Sequence, residues 1–95
     1  MEDGPAYGFL VSLVRLLTNL VWGSGVNQSL VGELEGLQLV LDCSAVDARN
    51  PLVTQWVVVC VRALTREHPG NQAILAGLRR EGAMDGSLMK ELGRG

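Results

Sequence analysis

Two stretches of the chain decide the fold: "VRLLTNLVWGSGVNQSLVGELEG" (residues 14–36) and "VRALTREHPGNQAILAGLRREG" (residues 61–82). Each is read as the end of an apolar helix, a turn, an Asn-Gln pair and a second, shorter helix. The pair Asn71-Gln72 follows the pair Asn27-Gln28 by 44 residues. The sequence therefore predicts the same helix–turn–helix unit twice in a short chain.

The first long helix is predicted over about residues 5–22, with Pro5 in its first turn, where a missing N–H donor is tolerated. Its apolar stripe recurs at helical spacing and consists of Phe9, Leu13, Leu16, Leu17 and Leu20, widened by Val14 and Val21. The Gly23–Gly25 segment is expected to stop it. We expect Asn27 or the residue before it to begin the next helix, and Gly36 to end that helix as a left-handed residue.

The second long helix is predicted over residues 52–67, although its β-branched run Val57–Val59 favours a strand by propensity. Its length, the Asn50-Pro51 start signal and its alignment with the first helix favour a helix. Its apolar residues lie 44 positions after those of the first helix, namely Val57, Cys60, Val61 and Leu64 after Leu13, Leu16, Leu17 and Leu20. Few polar residues surround this helix, so we expect it to be buried on more than one side. Residues 37–44 fit either a helix or a strand.

A helical period near 44 residues is typical of armadillo and HEAT repeats. We therefore predict an all-α, right-handed armadillo/HEAT-like repeat fold of about one and a half to two repeats. The long helix 5–22 closes one repeat, residues 27–67 form a full repeat, and residues 71–92 begin another. The domain is expected to span 5–93, with disordered ends at 1–4 and 94–95.

Such folds need about three repeats for stability alone, so the outer face of the first helix has no evident partner within the chain. Either the domain associates with itself or it caps a longer array, and a closed helical bundle is the plainer alternative. Nothing is expected in the way of nucleic-acid binding or membrane insertion, because the formal charge is −2 and the apolar runs are interrupted or short. Cys43 and Cys60 are expected to be reduced, buried thiols of a soluble intracellular protein.

The chain resembles the C-terminal armadillo-like domain of the ataxin-ten (spinocerebellar ataxia type ten protein) family over about residues 8–93. The resemblance rests on Arg15, Asn19-Leu20, Asn27-Gln28, Glu33-Leu34 with Gly36, Asp47 with Asn50-Pro51, Trp56, Arg62 with Leu64, and Asn71-Gln72. The chain departs from the family pattern at Thr18, Gln38, Gln55 and Ala63. The resemblance implies roles in cytokinesis, neuron survival and neurite outgrowth, and placement in the cytoplasm, at the midbody and at the centrosome or basal body. It also implies protein partners, of which a nucleocytoplasmic glycosyltransferase and a G-protein β subunit are family examples.

No residue pattern predicts an enzyme, a metal site or a cofactor. His68 is expected to face solvent in a turn, the Gly-Ser-Gly segment is a helix terminator, and Asp42 with Asp47 makes a poor catalytic pair. We predict a protein-interaction module whose long helices line a concave face. The candidate residues on it are Arg15, Asn19, Trp22, Gln55, Arg62 and Arg66, with core packing as the commoner use of tryptophan. Two alternatives remain: a small helical enzyme or cofactor binder, and a purely structural capping fragment of a longer solenoid.

Overall fold

The computed structural model describes residues 5–46, 49–82, 88, 90 and 92, with side chains from residue 8 onward. Over these residues it contains five helices and no strand: α1 (Pro5–Val21), α2 (Gly25–Glu33), α3 (Gly36–Val46), α4 (Pro51–Thr65) and α5 (Pro69–Arg80). The predicted all-α class is confirmed, and the ambiguous segment 37–44 is helical. The expected ends 1–4 and 94–95, together with Asp47 and Met89, lie outside the described residues.

The helix boundaries repeat at the interval seen in the sequence. The last residue of α4 follows that of α1 by 44 positions, and the first residue of α5 follows that of α2 by the same interval. Each turn also contains one left-handed residue at the same register, Gly23 with φ 70° and Glu67 with φ 52°. Glycine adopts this conformation freely, whereas the glutamate accepts some strain to make the same turn.

The two short helices that follow the turns have equivalent N-caps, but not the expected ones. Ser24 caps α2 by accepting from the backbone N–H of Asn27, and His68 caps α5 by accepting from that of Asn71. The expected start of α2 at Asn27 or the residue before it was wrong, because α2 begins at Gly25 and is already capped by Ser24. Asn71 likewise lies in the first turn of a helix that His68 caps.

The second long helix, α4, is the centre of the molecule. It packs against α1, α3 and α5, which confirms that it is buried on more than one side. Its buried side chains are Val53, Val57, Val58, Cys60, Val61, Ala63 and Leu64. Asn50 caps its first turn by accepting from the backbone N–H of Leu52, and Pro51 occupies the first helical position, as predicted.

The contact between α1 and α4 uses a different face of α1 from the leucine stripe. Val11, Val14, Thr18 and Val21 are buried, whereas Leu13 and Leu16 are 43% and 56% exposed and Leu20 is exposed as well. Valine and threonine are shorter than leucine, so this face allows α1 to pack closely on α4. Of the predicted stripe, Val14 and Val21 are buried and Leu17 packs against the core, whereas Phe9 is exposed like the other leucines.

The helices α1 and α4 run in the same direction. Arg15 stacks on Trp56 near the start of α4, and Trp22 stacks on Arg66 at its C-terminal end. Parallel neighbours of this kind need a long connection between them, which here contains α2 and α3. A bundle closed by short loops would pair antiparallel neighbours instead.

The turn between α2 and α3 corrects a second sequence expectation. Glu35, with φ 61°, is the left-handed residue, and Gly36 begins α3. Gly36 is needed for space, since a Cβ added there would meet a Cγ of Val31.

The apolar faces expected for the short helices, Leu30, Val31 and Leu34 and then Ile74, Leu75 and Leu78, pack on the core only in part. Val31, Leu75 and Leu78 contact the core, whereas Leu30, Ile74 and the α2 C-cap Leu34 are exposed. The buried residues of α2 are Gln28 and Gly32, and that of α5 is Asn71. The α2–α5 contact is therefore made by polar and small residues, and the leucines of α2 remain on the surface.

Candidate protein-interaction surfaces

A network of amide side chains fixes the short helices against the ends of the long ones. The Asn71 Nδ2 group donates to the carbonyl oxygens of Gln28 and Leu64, both at 2.8 Å. Gln28 Nε2 donates in turn to the carbonyl oxygens of Ala63 at 2.8 Å and Arg66 at 2.9 Å. The bonds to Ala63, Leu64 and Arg66 satisfy carbonyl groups that the end of α4 leaves without a helical partner.

The same bond occurs once in each unit. Asn27 Nδ2 donates to the carbonyl oxygen of Leu20 at 2.6 Å, seven residues earlier, and Asn71 donates to that of Leu64, also seven residues earlier. The Asn-Gln pairs are thus structural residues that hold each turn in place. Gly32 allows this packing, because a Cβ at this position would meet the amide of Asn71.

His68 is half-buried in this network and does not face solvent, which corrects the sequence expectation. Its Nδ1 accepts from the backbone N–H of Asn71 at 3.0 Å, so the ring proton lies on Nε2 in the neutral form. Nε2 lies 2.8 Å from the hydroxyl of Ser29 and donates to it. The histidine therefore joins α2 to α5, and each of its two ring nitrogens has a hydrogen-bond partner.

The six residues proposed from the sequence lie on the exposed sides of the long helices. Arg15, Asn19 and Trp22 are spaced by four and three positions on α1, which places them on one face. On α4 and its C-cap the exposed candidates are Gln55, Arg62 and Arg66. The structure brings Trp22 and Arg66 together, with the guanidinium carbon 5.3 Å from the ring centroid. Arg15 lies 5.2 Å from the ring of Trp56, which is half-buried beside Gln55.

One end of this face forms a cleft of about 440 Å³, here named the arginine cleft. Its lining combines apolar side chains with three arginines: Trp22, Val61, Arg62, Thr65, Arg66, Leu75, Arg79 and Leu92. Sequence reasoning missed Arg79, because the contribution of α5 to the cleft depends on how α5 packs beside α4. Its only local signal is its place in the basic last turn of α5.

A second concave surface lies on the other side of α1 and is here named the leucine groove. It encloses about 300 Å³ and is lined by Leu13, Val14, Leu16, Leu17, Leu20, Val31, Leu34, Gly36, Leu39, Val40 and Cys43. The lining is almost entirely hydrocarbon, contributed by α1, α2 and α3. Exposed apolar surface of this extent on a folded domain usually marks an interaction site.

The two thiols are free and unequally buried. Burial raises the pKa of Cys60 above its ordinary value, partly offset by a hydrogen bond with Thr18, and the nearby Cys43 thiol raises it further. Burial also raises the pKa of Cys43, assisted by the negative charge of Asp42. Both thiols are therefore held in the protonated form, which is a weak nucleophile.

Neither a metal-binding group nor a membrane-spanning helix is found among the described residues. In the part of the chain that the structure describes, no three His, Cys, Asp or Glu side chains come together as a metal-binding group. Over the same residues, no helix combines the length and the hydropathy that crossing a bilayer requires.

A family model described as "Spinocerebellar ataxia type 10 protein domain" matches residues 9–94. The chain belongs to the ataxin-10 family. The resemblance had described the domain as a C-terminal one. In this chain the matched segment begins at residue 9 and occupies almost the full length, so it is not a C-terminal segment here.

Individual relatives agree with the family model. The chain is 42% identical to Ataxin-10 of Bos taurus and 40% identical to that of Xenopus tropicalis, in each case over 88 residues, 93% of this chain and 18% of the relative. It is 31% identical to the Ataxin-10 homolog of Dictyostelium discoideum over 86 residues, 90% of this chain and 14% of the relative. The chain therefore spans less than a fifth of the length of these ataxin-10 relatives. No solved structure matches it significantly.

Proposed function

We propose that this ataxin-10 domain is a non-enzymatic, armadillo-like protein-interaction module, and that its leucine groove binds a second copy of the chain. The observation that carries the proposal is the groove itself: an apolar, concave surface on three helices that nothing in the described chain covers. The domain would comprise residues 5–93.

The repeat register supports a helical occupant. The face of α4 formed by Val57, Cys60 and Leu64 is buried in the molecule. The corresponding face of α1, 44 residues earlier, contains Leu13, Leu16 and Leu20 and is exposed. Because a repeat unit cannot bury its apolar face alone, a helix from another unit is the partner that this face fits.

Self-association can be tested by sedimentation velocity over a concentration series, comparing the parent chain with Leu16→Glu. Leu16 is more than half exposed, so the substitution leaves the core intact and introduces a charge into the groove. We expect the parent chain to form dimers or larger assemblies at micromolar concentrations and the variant to remain monomeric.

Val59→Glu is the matched control, because Val59 is an exposed apolar residue of the other long helix and does not line the groove. It is expected to associate like the parent chain, and circular dichroism should show equal helix content in all three proteins. A parent chain that stays monomeric up to about 1 mM, the weak limit of specific association, would contradict the proposal. Equal association of both variants would contradict it as well.

Family membership supports a broader proposal about the cellular role. We propose cytoplasmic placement, including the perinuclear region, the midbody and the centrosome or basal body, and participation in cytokinesis, neuron survival and neurite outgrowth. Localisation of a tagged chain through the cell cycle, with Leu16→Glu beside it, measures whether this placement depends on the groove. Uniform distribution of the parent chain in dividing cells would refute the midbody and centrosome assignments.

A further inference from the structure

We propose that the arginine cleft binds an extended acidic peptide that presents both carboxylate and apolar side chains on the face turned to the cleft. This surface lies on the opposite side of α1 from the leucine groove, and the two linings share no residue. The inference therefore does not depend on self-association.

The positive charges around the cleft indicate that its partner is negatively charged. Arg62 and Arg66 lie four residues apart at the end of α4, and Arg79 approaches from α5. Among the described residues, neither Arg66 nor Arg79 forms an ion pair with a carboxylate. Arg66 and Arg79 bring these positive charges to a chain whose formal net charge is −2, so the cleft is a local basic site on an acidic protein. Carboxylates are complementary to it, and guanidinium groups can bind them with two parallel hydrogen bonds.

The apolar part of the cleft indicates that the partner also carries apolar groups. Val61, Leu75 and Leu92 line the same cleft as the arginines, together with the exposed side chain of Trp22. Arg66 stacks on the ring of Trp22. This contact fixes the position of the tryptophan although its side chain is not buried in the core. A partner that carries only charge would leave this apolar surface in contact with water. An extended peptide can satisfy both parts when a carboxylate and an apolar side chain are two positions apart, because the side chains at positions i and i+2 of a strand point to the same side.

This combination favours a peptide over a nucleic acid. A phosphate backbone would contact the arginines, but it has no aliphatic groups for the surface between Val61 and Leu75. Proteins that hold single-stranded nucleic acid combine a long basic groove with several stacking rings, whereas this cleft has one tryptophan.

The test is fluorescence anisotropy with a labelled peptide of about twelve residues, which is long enough to cross the cleft in extended form. In this peptide Glu and Leu alternate at every second position, with Gly between them, so that both kinds of side chain share one face. We expect micromolar binding that weakens as NaCl is raised from about 0.05 to about 0.5 M, because salt screens exposed charges. Two control peptides replace either every acid by its amide or every leucine by serine. Both are expected to bind more weakly.

The matched variants are Arg79→Glu and Arg80→Glu. Both residues are exposed in the last turn of α5, so the charge change and its effect on the helix dipole are equal, but only Arg79 lines the cleft. Arg79→Glu is expected to weaken peptide binding about tenfold and Arg80→Glu less than twofold, because exposed charges act mainly on their immediate neighbours.

Three results would overturn the proposal: no binding of the acidic peptide up to about 1 mM, the limit of a weak specific complex; equal loss in both arginine variants; or tighter binding of an oligothymidylate than of the peptide. The last result would assign the cleft to nucleic acid. Sedimentation of Arg79→Glu should be unchanged from that of the parent chain, which separates failure of the cleft from failure of the groove.

Discussion

Asn71 is the residue whose surroundings are most demanding. It is 1% exposed, and its single amide group donates to two carbonyl oxygens that belong to α2 and to the end of α4. A buried carbonyl that loses its donor keeps the full cost of its desolvation. The same side chain also packs on Gly32. One residue therefore both forms the buried hydrogen bonds and makes the close contact between α5 and α2.

The substitution Asn71→Ala should therefore lower the free energy of unfolding by about 2–4 kcal/mol, since it removes two hydrogen bonds of a buried amide and opens a small cavity. The Leu64 carbonyl would keep only its longer bond, of 3.4 Å, from Gln28 Nε2. Urea denaturation followed by circular dichroism measures this change. Gln72→Ala is the control: Gln72 is exposed and makes one bond, to the carbonyl oxygen of Thr65. Its expected cost is below about 1 kcal/mol. Equal effects at the two positions would show that the Asn71 bonds do not determine the stability of the turn.

Among the helices, α4 contributes most to the core, because it lies at the centre of the fold. It begins at a well-formed cap, and its side chains enter the contacts with α1, α3 and α5. The valines Val57, Val58 and Val61 have low intrinsic helix propensity, so the helix depends on this burial for its stability. Tertiary packing thus overrides the local preference for a strand that the β-branched run suggests.

Two valines of α4, two positions apart, differ in how far they are buried. Val57 is 0% exposed and Val59 is 40% exposed. Val57→Asp places an uncompensated charge in the core and should unfold the domain at 25 °C, a loss above about 4 kcal/mol. Val59→Asp has the same intrinsic helix cost and should lower the free energy of unfolding by less than about 1.5 kcal/mol. Thermal melting by circular dichroism distinguishes them, and a folded Val57→Asp variant would contradict the assigned core.

In the whole molecule the helix pairs α1–α2 and α4–α5 stack side by side, and the described residues leave one apolar face of α1 uncovered. The parallel helices α1 and α4, the matched turns and the repeated Asn bonds all follow the 44-residue interval. Cys60 lies in the middle of this stack, on the α4 side of the α1 contact, while Cys43 lines the leucine groove. The two thiols therefore report on different regions of the molecule.

Thiol labelling at about pH 8, below the ordinary cysteine pKa of about 8.5, should modify Cys43 first. Cys60 should react more than about 100-fold more slowly, at a rate set by opening of the core. Single-cysteine variants with Ser at the other position assign the rates, and both thiols should react alike in denaturant. Comparable native rates would contradict the buried position of Cys60.

The same thiols give a direction for the effect of pH on stability. Because burial raises the pKa of Cys60 and of Cys43, the unfolded chain loses these protons at a lower pH than the native chain. Above about pH 8.5 the unfolded state binds fewer protons, so these groups lower the stability as the pH rises. Urea midpoints measured at about pH 7 and pH 9.5 should show a decrease that is smaller in a Cys60→Ala variant relative to its own value at the lower pH.

The sequence by itself determined the helical class, the 44-residue interval, the Asn50-Pro51 start of α4 and the burial of α4, because these depend on local caps and on the periodicity of apolar residues. Only the tertiary structure decided which face of α1 is buried, since both its valine and its leucine stripes are apolar and the choice depends on how closely α4 can approach. It also decided that the Asn-Gln pairs hold helix ends, that His68 is a cap, and that Arg79 joins Trp22 and Arg66 in one cleft. Each of these depends on residues far apart in the chain meeting in space, and no local pattern records such a meeting.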